Sequence, residues 1–332
     1  MRLRGLSLRK RLGLRTEQDL VPYGMFERPW QQEHLRSARI LERVYHKGQD
    51  KAWEGKKVLA DLVEQHGGVS LAPDKAKAVQ RLFAVILWGE LAAWKVAAQL
   101  ALELEPLEAK LAATSQAHDE ARHFYVMHDY LQLLGYEPEP LPAVASGILE
   151  RVLGAKDLTR KLLGMQLMVE PMALTIFQTF RESRIEPVLA DLLLLYERDE
   201  ARHVAIGVHY LPARIQAMTP WQAASMWRWQ LSLLDLEFRA LTEMAKDFEV
   251  LGVDPRQLFQ LGTAKTALAI RMMAEQLGTD LPIIKVFRRY FDCRMELAYP
   301  RSSSTRQRVA DLFETALNGI DSVETTLAPV PA

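Results

Sequence analysis

Five residues occur twice in this chain. Asp119-Glu120-Ala121-Arg122-His123 returns unchanged 80 positions later as Asp199-Glu200-Ala201-Arg202-His203. Residues three apart on a helix share a face, so Glu120 points with His123, and Glu200 with His203. One such string alone reads best as a solvated helix face carrying an ion pair. Two more glutamates turn the pair of strings toward metal chemistry. Glu90 and Glu170 each stand 30 residues before the Glu of the following pentad. Each is nearly alone in an apolar run: residues 82–102 carry only Glu90 and Lys95 as charges, and residues 162–180 only Glu170. An ionised carboxylate in an apolar core is costly without a partner, and four would repel one another. Two divalent or trivalent cations relieve both costs. Oxygen-rich ligation with one nitrogen per metal suits iron or manganese better than zinc or copper.

Helices must do the positioning. Apolar residues recur at three- and four-residue spacing over long windows, which predicts helices near 29–48, 51–66, 74–104, 107–135, 157–184, 187–213, 220–250, 255–276, 281–297 and 303–318. Gly67-Gly68, Pro106, the Pro-rich segment 135–142, Pro187, Pro212, Thr219-Pro220 and Gly278 punctuate them. A helix climbs about 1.5 Å per residue, so 30 residues are one helix, a turn and a return to the same level. Tyr130-Leu131 and Tyr210-Leu211 repeat at the pentad's offset. The chain thus contains two copies of a helix-pair unit related by a pseudo-two-fold, and the fold class is all-α, a four-helix bundle.

The expected organisation is a basic N-terminal arm over 1–28, N-terminal helices packing on the bundle over 29–73, the bundle itself over 74–213, a helical extension over 214–320, and a tail over 321–332. The two apolar runs are long enough to span a bilayer. Their amphipathic, charged neighbours make them the inner helices of a soluble bundle instead, so no transmembrane segment is expected. Pro171 directly follows Glu170 and should either kink that helix or widen it to a π-turn.

Composition narrows the class. Lys+Arg and Asp+Glu both number 42, so no global field favours nucleic acid. The single cysteine, Cys293, excludes an internal disulfide and any cysteine-built zinc or iron–sulfur site. A reduced cytoplasm is the default compartment. Six basic residues precede the first acidic one, Glu17, without the unbroken apolar stretch of a secretory signal. That segment reads as a frayed arm, or as a basic arm touching a membrane surface or acidic partner.

One glutamate from each of two helices, with Glu-x-x-His from each of two others, resembles the ferritin-like di-iron carboxylate superfamily. The Asp-Glu-x-Arg-His form is similar to bacterial multicomponent monooxygenase hydroxylases. Arg198-Asp199-Glu200-Ala201 is similar to the second motif of ribonucleotide reductase small subunits. The resemblance covers residues 75–213 and identifies no single branch. Met127 stands where the reductases place a radical tyrosine, and Leu174 where the hydroxylases place a threonine. Tyr196 stands where arylamine N-oxygenases add a histidine. Ala92, Ala93 and the stretch 164–165 replace the cross-linking pair of the ligand-binding oxidases.

The resemblance implies that Glu90, Glu120 and His123 bind one metal and Glu170, Glu200 and His203 the other, with Glu120 and Glu200 bridging. It places Asp119 and Asp199 as acceptors from the ligand histidines and pairs Arg122 and Arg202 with nearby carboxylates. Two iron ions are implied, with manganese or Mn/Fe as variants. The implied activity is an O₂-dependent oxidoreductase that hydroxylates, N-oxygenates or desaturates a small apolar organic substrate. A ferredoxin or flavin reductase would donate electrons to a homodimer. The alternative is a ferroxidase, iron store or manganese protein without an organic substrate. Leu87, Trp94, Leu174 and Phe177, within two turns of the inner glutamates, are expected to line the substrate pocket, with Trp88, Ala93, Met168 and Ala173. Tyr196, one turn before Glu200, is either a catalytic donor or redox relay, or a core tyrosine with a satisfied hydroxyl.

Overall fold

Several helix starts are written into the chain as caps. Glu54 accepts from the backbone of Lys56 and Lys57, Glu186 from Val188 and Leu189, and Asp157 from Arg160. Thr219 and Gln222 form a reciprocal capping box, and prolines 73, 187, 220 and 255 open four helices where a missing N–H costs nothing. The computed structural model describes residues 32–278 and 282–319. Its elements are α1 (Gln32–Asp50), α2 (Gly55–His66), α3 (Pro73–Glu103), α4 (Leu107–Leu133), α5 (Ala143–Leu153), α6 (Leu158–Gly164), a π-helical turn (Met165–Val169), α7 (Glu170–Ser183), α8 (Pro187–Gln216), α9 (Pro220–Glu243), α10 (Ala245–Val250), α11 (Pro255–Leu277), α12 (Pro282–Ala298) and α13 (Thr305–Asn318). The expected arm and tail lie outside the described residues. Met1–Arg36 separates as one unit from Ser37–Ala332, and every residue of the candidate site lies in the second.

Among the described residues the fold is all-α. Helices α3 and α4 pack along one another, as do α7 and α8, and α4 meets α8 to join the pairs. Helix α2 lies against α4 and α8, α11 covers α7 and α8, and α9 packs on α5 and α11. Helix α3 passes the length and hydropathy test for a membrane span. It nevertheless buries Phe83, Leu87, Val96 and Leu100 in the core and delivers Glu90 to the interior.

Three elements differ from the sequence expectation. Helix α5 falls in a stretch left without structure; at 11 residues, behind a Pro-rich segment, its apolar period is too short to read. The expected helix over 220–250 is two, broken at Met244. Pro212 ends nothing. It sits inside α8, and Gln276 Nε2 donates to the Val208 carbonyl at 3.2 Å, supplying the bond that the proline cannot.

Of the two outcomes open at Pro171, the π-turn forms. The Glu170 amide bonds back to the Met165 carbonyl, one residue farther than in an α-helix. The wide turn ends at Glu170, which therefore leaves it at the level of the cluster.

Candidate dinuclear metal centre

Six side chains from α3, α4, α7 and α8 converge in the core. Glu90, Glu120, His123, Glu170, Glu200 and His203 are each no more than 5% exposed. They form two overlapping groups, Glu90, Glu120, His123, Glu200 and Glu120, Glu170, Glu200, His203. Within each group one donor atom per residue lies within 4.8 Å of the others. Glu120 and Glu200 belong to both groups, the position a bridging carboxylate must occupy. His123 Nδ1 stands 3.2 Å from Glu200 and 3.4 Å from Glu90, and His203 Nδ1 stands 2.9 Å from Glu200 and 3.1 Å from Glu120.

The far side of each imidazole is held by the other copy of the repeat. His123 Nε2 lies 3.3 Å from Asp199, and His203 Nε2 lies 3.4 Å from Asp119. An Nε2–H donated to an aspartate leaves the Nδ1 lone pair facing the cluster, the tautomer a metal requires. The aspartates are cross-braced. Arg122 donates to Asp119 at 2.5 Å and to Asp199 at 2.8 Å, and Arg202 to Asp119 at 2.8 Å and to Asp199 at 2.9 Å. Both guanidinium groups are buried, so these are not exposed ion pairs. Burial alone would raise the two aspartates. The histidine hydrogen bonds and the charge of Arg202 overcome it and hold both well below the usual carboxylate range.

The residues present fit two cations. Asp119, Asp199, Arg122 and Arg202 balance one another, which leaves four carboxylates around two imidazoles with no lysine or arginine among them. Desolvation, reinforced by the charge of Glu200, pushes Glu90 and Glu170 up, against a hydrogen bond from His123 at Glu90. His123 and His203 are driven toward their protonated forms, because hydrogen bonds and carboxylate charge outweigh desolvation. Glu120 Oε2 and His123 Nδ1 are buried and have no hydrogen-bond partner. Acceptors that repel one another and unpaired donor atoms are the electrostatic signature of a site built around positive charge.

Three participants were not legible in the sequence. Gln116 donates to Glu120 at 2.9 Å and to Glu170 at 3.2 Å, and Gln166 donates to Gln116 at 3.1 Å. Each glutamine lies four residues before a cluster glutamate, a spacing that could have flagged it. Trp53, in the connection between α1 and α2, donates Nε1–H to Asp199 at 2.7 Å, and the Arg122 guanidinium lies 4.6 Å over its ring. Nothing local marks that tryptophan. Tyr196 is fully buried. Its hydroxyl donates to the His123 carbonyl at 2.7 Å, and its ring stacks on His123 at 4.1 Å. The hydroxyl is thus occupied by backbone and the ring orients a histidine; the placement matches the core-tyrosine alternative.

An apolar cavity of about 90 Å³ borders the cluster, with Glu90 and Glu170 in its wall. Ile86, Gly89 and Ala93 of α3 and Ala173 and Ile176 of α7 line it, with Met165 and Val169 of the π-turn. The expected pocket residues Leu87, Trp94, Leu174 and Phe177 do not. A helix turns about 100° per residue, which carries Leu87, Trp94 and Leu174 to the opposite side of Glu90 and Glu170 from Ala93 and Ala173; Phe177 shares the Glu170 face but packs edge-on against Tyr196. Leu87, Leu174 and Phe177 are core residues, and Trp94 is 39% exposed. Of the wider set, Ala93 and Ala173 are lining residues, whereas Trp88 lines a surface groove.

No protein-family model matches the chain, and no curated protein matches it in sequence. Solved structures do. A protein with aldehyde deformylating oxidase activity from Synechococcus superposes with a TM-score of 0.55 at 16% identity, over 65% of this chain and 96% of that one. An R2-like ligand-binding oxidase variant with an aerobically reconstituted Mn/Fe cofactor superposes with a TM-score of 0.54 at 18% identity, over 70% and 92%. A second, anaerobically reconstituted variant gives the same values.

The fold is ferritin-like.

At these identities the likeness concerns the ferritin-like bundle. The R2-like neighbours carry Mn/Fe, and the buried carboxylate and histidine cluster described above is suited to a dinuclear site.

Proposed function

We propose that this chain is a di-metal oxidoreductase that uses O₂ to oxidise a small apolar organic molecule. The observation that carries the reading is the apolar cavity whose wall includes Glu90 and Glu170, one glutamate from each repeat. Glu90, Glu120 and His123 would hold one ion and Glu170, Glu200 and His203 the other, with Glu120 and Glu200 shared. Iron in both positions, or manganese with iron, would supply the redox chemistry that activates O₂. The chain's own residues do the rest. Asp119 and Asp199 keep both imidazoles in the metal-binding tautomer. Gln116 orients Glu120 and Glu170 through its amide. The aliphatic wall excludes water and selects by shape.

Several features support an organic substrate over a ferroxidase or iron store. A hydrated ion gains nothing from a cavity of aliphatic side chains, and the helices after α8 exceed what a minimal bundle needs. The Synechococcus neighbour's aldehyde deformylating oxidase activity agrees with an oxidase reading. We place the protein in the cytoplasm, as a homodimer served by an external electron donor such as a ferredoxin or flavin reductase. Single-turnover oxygen uptake tests the reading. The ferrous protein should consume O₂ once and stop, then resume only when a reductant is supplied. Continued uptake with added Fe²⁺ alone would support the ferroxidase.

A further inference from the structure

Helix α9 contributes one carboxyl to the cavity that neither repeat accounts for. Glu237 is 5% exposed, and its Oε1 is buried without a hydrogen-bond partner. It lines the cavity beside the cluster, and also a second one of about 40 Å³ walled by Phe259, Thr266 and Ile270 of α11 and Phe291 of α12. Met172 lines both as well. A carboxyl and a flexible thioether are thus shared by two apolar chambers. Burial alone raises Glu237, to about 8, and no neighbouring cation contributes. Arg288 lines the second chamber, and Glu237 Oε1 has no hydrogen bond from it or any other group.

A buried polar group without a partner costs stability. Such a group persists where its partner is supplied from outside. The complement to an unpaired carboxyl in an apolar wall is an N–H donor, and the strongest is an amine that takes the carboxyl's proton and remains as an ammonium ion beside it. The other two carboxyls of the first chamber, Glu90 and Glu170, belong to the metal cluster, which leaves Glu237 to recognise the ligand's polar end.

We propose that Glu237 is the recognition residue for an apolar ligand bearing a basic amine, held with its nitrogen at α9 and its hydrocarbon part against the Glu90–Glu170 wall. This identifies a substrate class for the oxidoreductase proposed above and rests on that reading for its consequence, though not for its test.

The test is binding, measured by calorimetry on the metal-loaded full chain with n-hexylamine and n-hexanol as probes. Wild-type protein should bind the amine about tenfold or more tightly than the alcohol. Glu237→Gln and Glu237→Leu should bring the two affinities together, with metal content unchanged and the melting temperature of Glu237→Leu equal or higher. Equal affinities in the wild type would overturn the proposal. So would an amine preference that survives in both variants, since the metals rather than Glu237 would then be holding the nitrogen. If oxygen uptake fails while the preference follows Glu237, the oxidoreductase reading falls and the binding site stands.

Discussion

The two copies of the repeat bring the same residue types to the cluster and surround them differently. In the first, α3 runs unbroken over 31 residues and carries Glu90 on regular helix. In the second, the equivalent helix is split by the Met165–Val169 π-turn immediately before Glu170. One turn before the pentad glutamate, the first copy has Gln116, whose amide donates to two cluster carboxylates, and the second has Tyr196, whose hydroxyl donates to backbone. His123 lies under the Tyr196 ring, with Trp53 6.2 Å away; no comparable stack on His203 occurs among the described residues. The six converging side chains thus repeat between the copies, and what lies behind them differs. The inner ligands must satisfy one coordination chemistry, while their supports need only hold them.

The pair of shared carboxylates offers the most severe way to break that symmetry. Glu120→Ala or Glu200→Ala removes a donor from both groups at once, so each variant should fall from about two metal ions per chain to nearly none. Elemental analysis of purified protein reads this, and full occupancy in either variant would refute the shared positions. Next in size are the crossed aspartates. Asp199→Asn should lower metal affinity by about 10–100-fold with the fold intact. Asp119→Asn should do less, because an amide at 199 would turn its N–H toward the Trp53 donor while position 119 has no such roof. Competition with a chelator ranks the two; the opposite ranking would remove Trp53 from the account.

A smaller effect tests the cover over the second copy. Helix α11 buries Lys265 against the Leu174 carbonyl, and desolvation lowers its amine to about 8 despite the nearby charges of Glu197 and Glu182. Arg181 acts in the same direction as burial. Between about 8 and the unfolded value of 10.5, the unfolded chain holds a proton that the folded chain has released. Stability should therefore rise with pH across that window, by roughly 3 kcal/mol. Lys265→Met should flatten the rise in denaturant titrations and stabilise the protein at pH 7. A rise of the same size in the variant would show that another group causes it. The smallest effect is expected at Tyr196→Phe, which loses one buried hydrogen bond worth about 1 kcal/mol and should leave metal content unchanged. Loss of metal there would mean that the hydroxyl, and not the stacked ring alone, seats His123.

The sequence was most readable where chemistry repeats. The pentads, their offset and the two isolated glutamates placed six side chains that the folded chain brings together, because helical spacing converts directly into a shared face. Two kinds of information were hidden. Rotational phase was one: the pocket residues were chosen by distance along the helix, and one residue separates Ala93 from Trp94 and Ala173 from Leu174, enough to turn a side chain from cavity to core or surface. Long-range partners were the other. Trp53 reaches Asp199, 146 residues away, and Glu237 reaches the Glu90–Glu170 cavity from α9. Neither carries a local pattern, since only the packing of α2 and α9 on the bundle brings them near. Pro171 lay between these cases: its position announced a distortion, and the structure decided which.

The most direct measurement of the central claim, a closed two-ion centre shared by the two repeats and serving an apolar cavity, is iron bound per chain after exposure to excess Fe²⁺ and air. A plateau near two is the predicted result. A count in the tens would contradict it and make the protein a store.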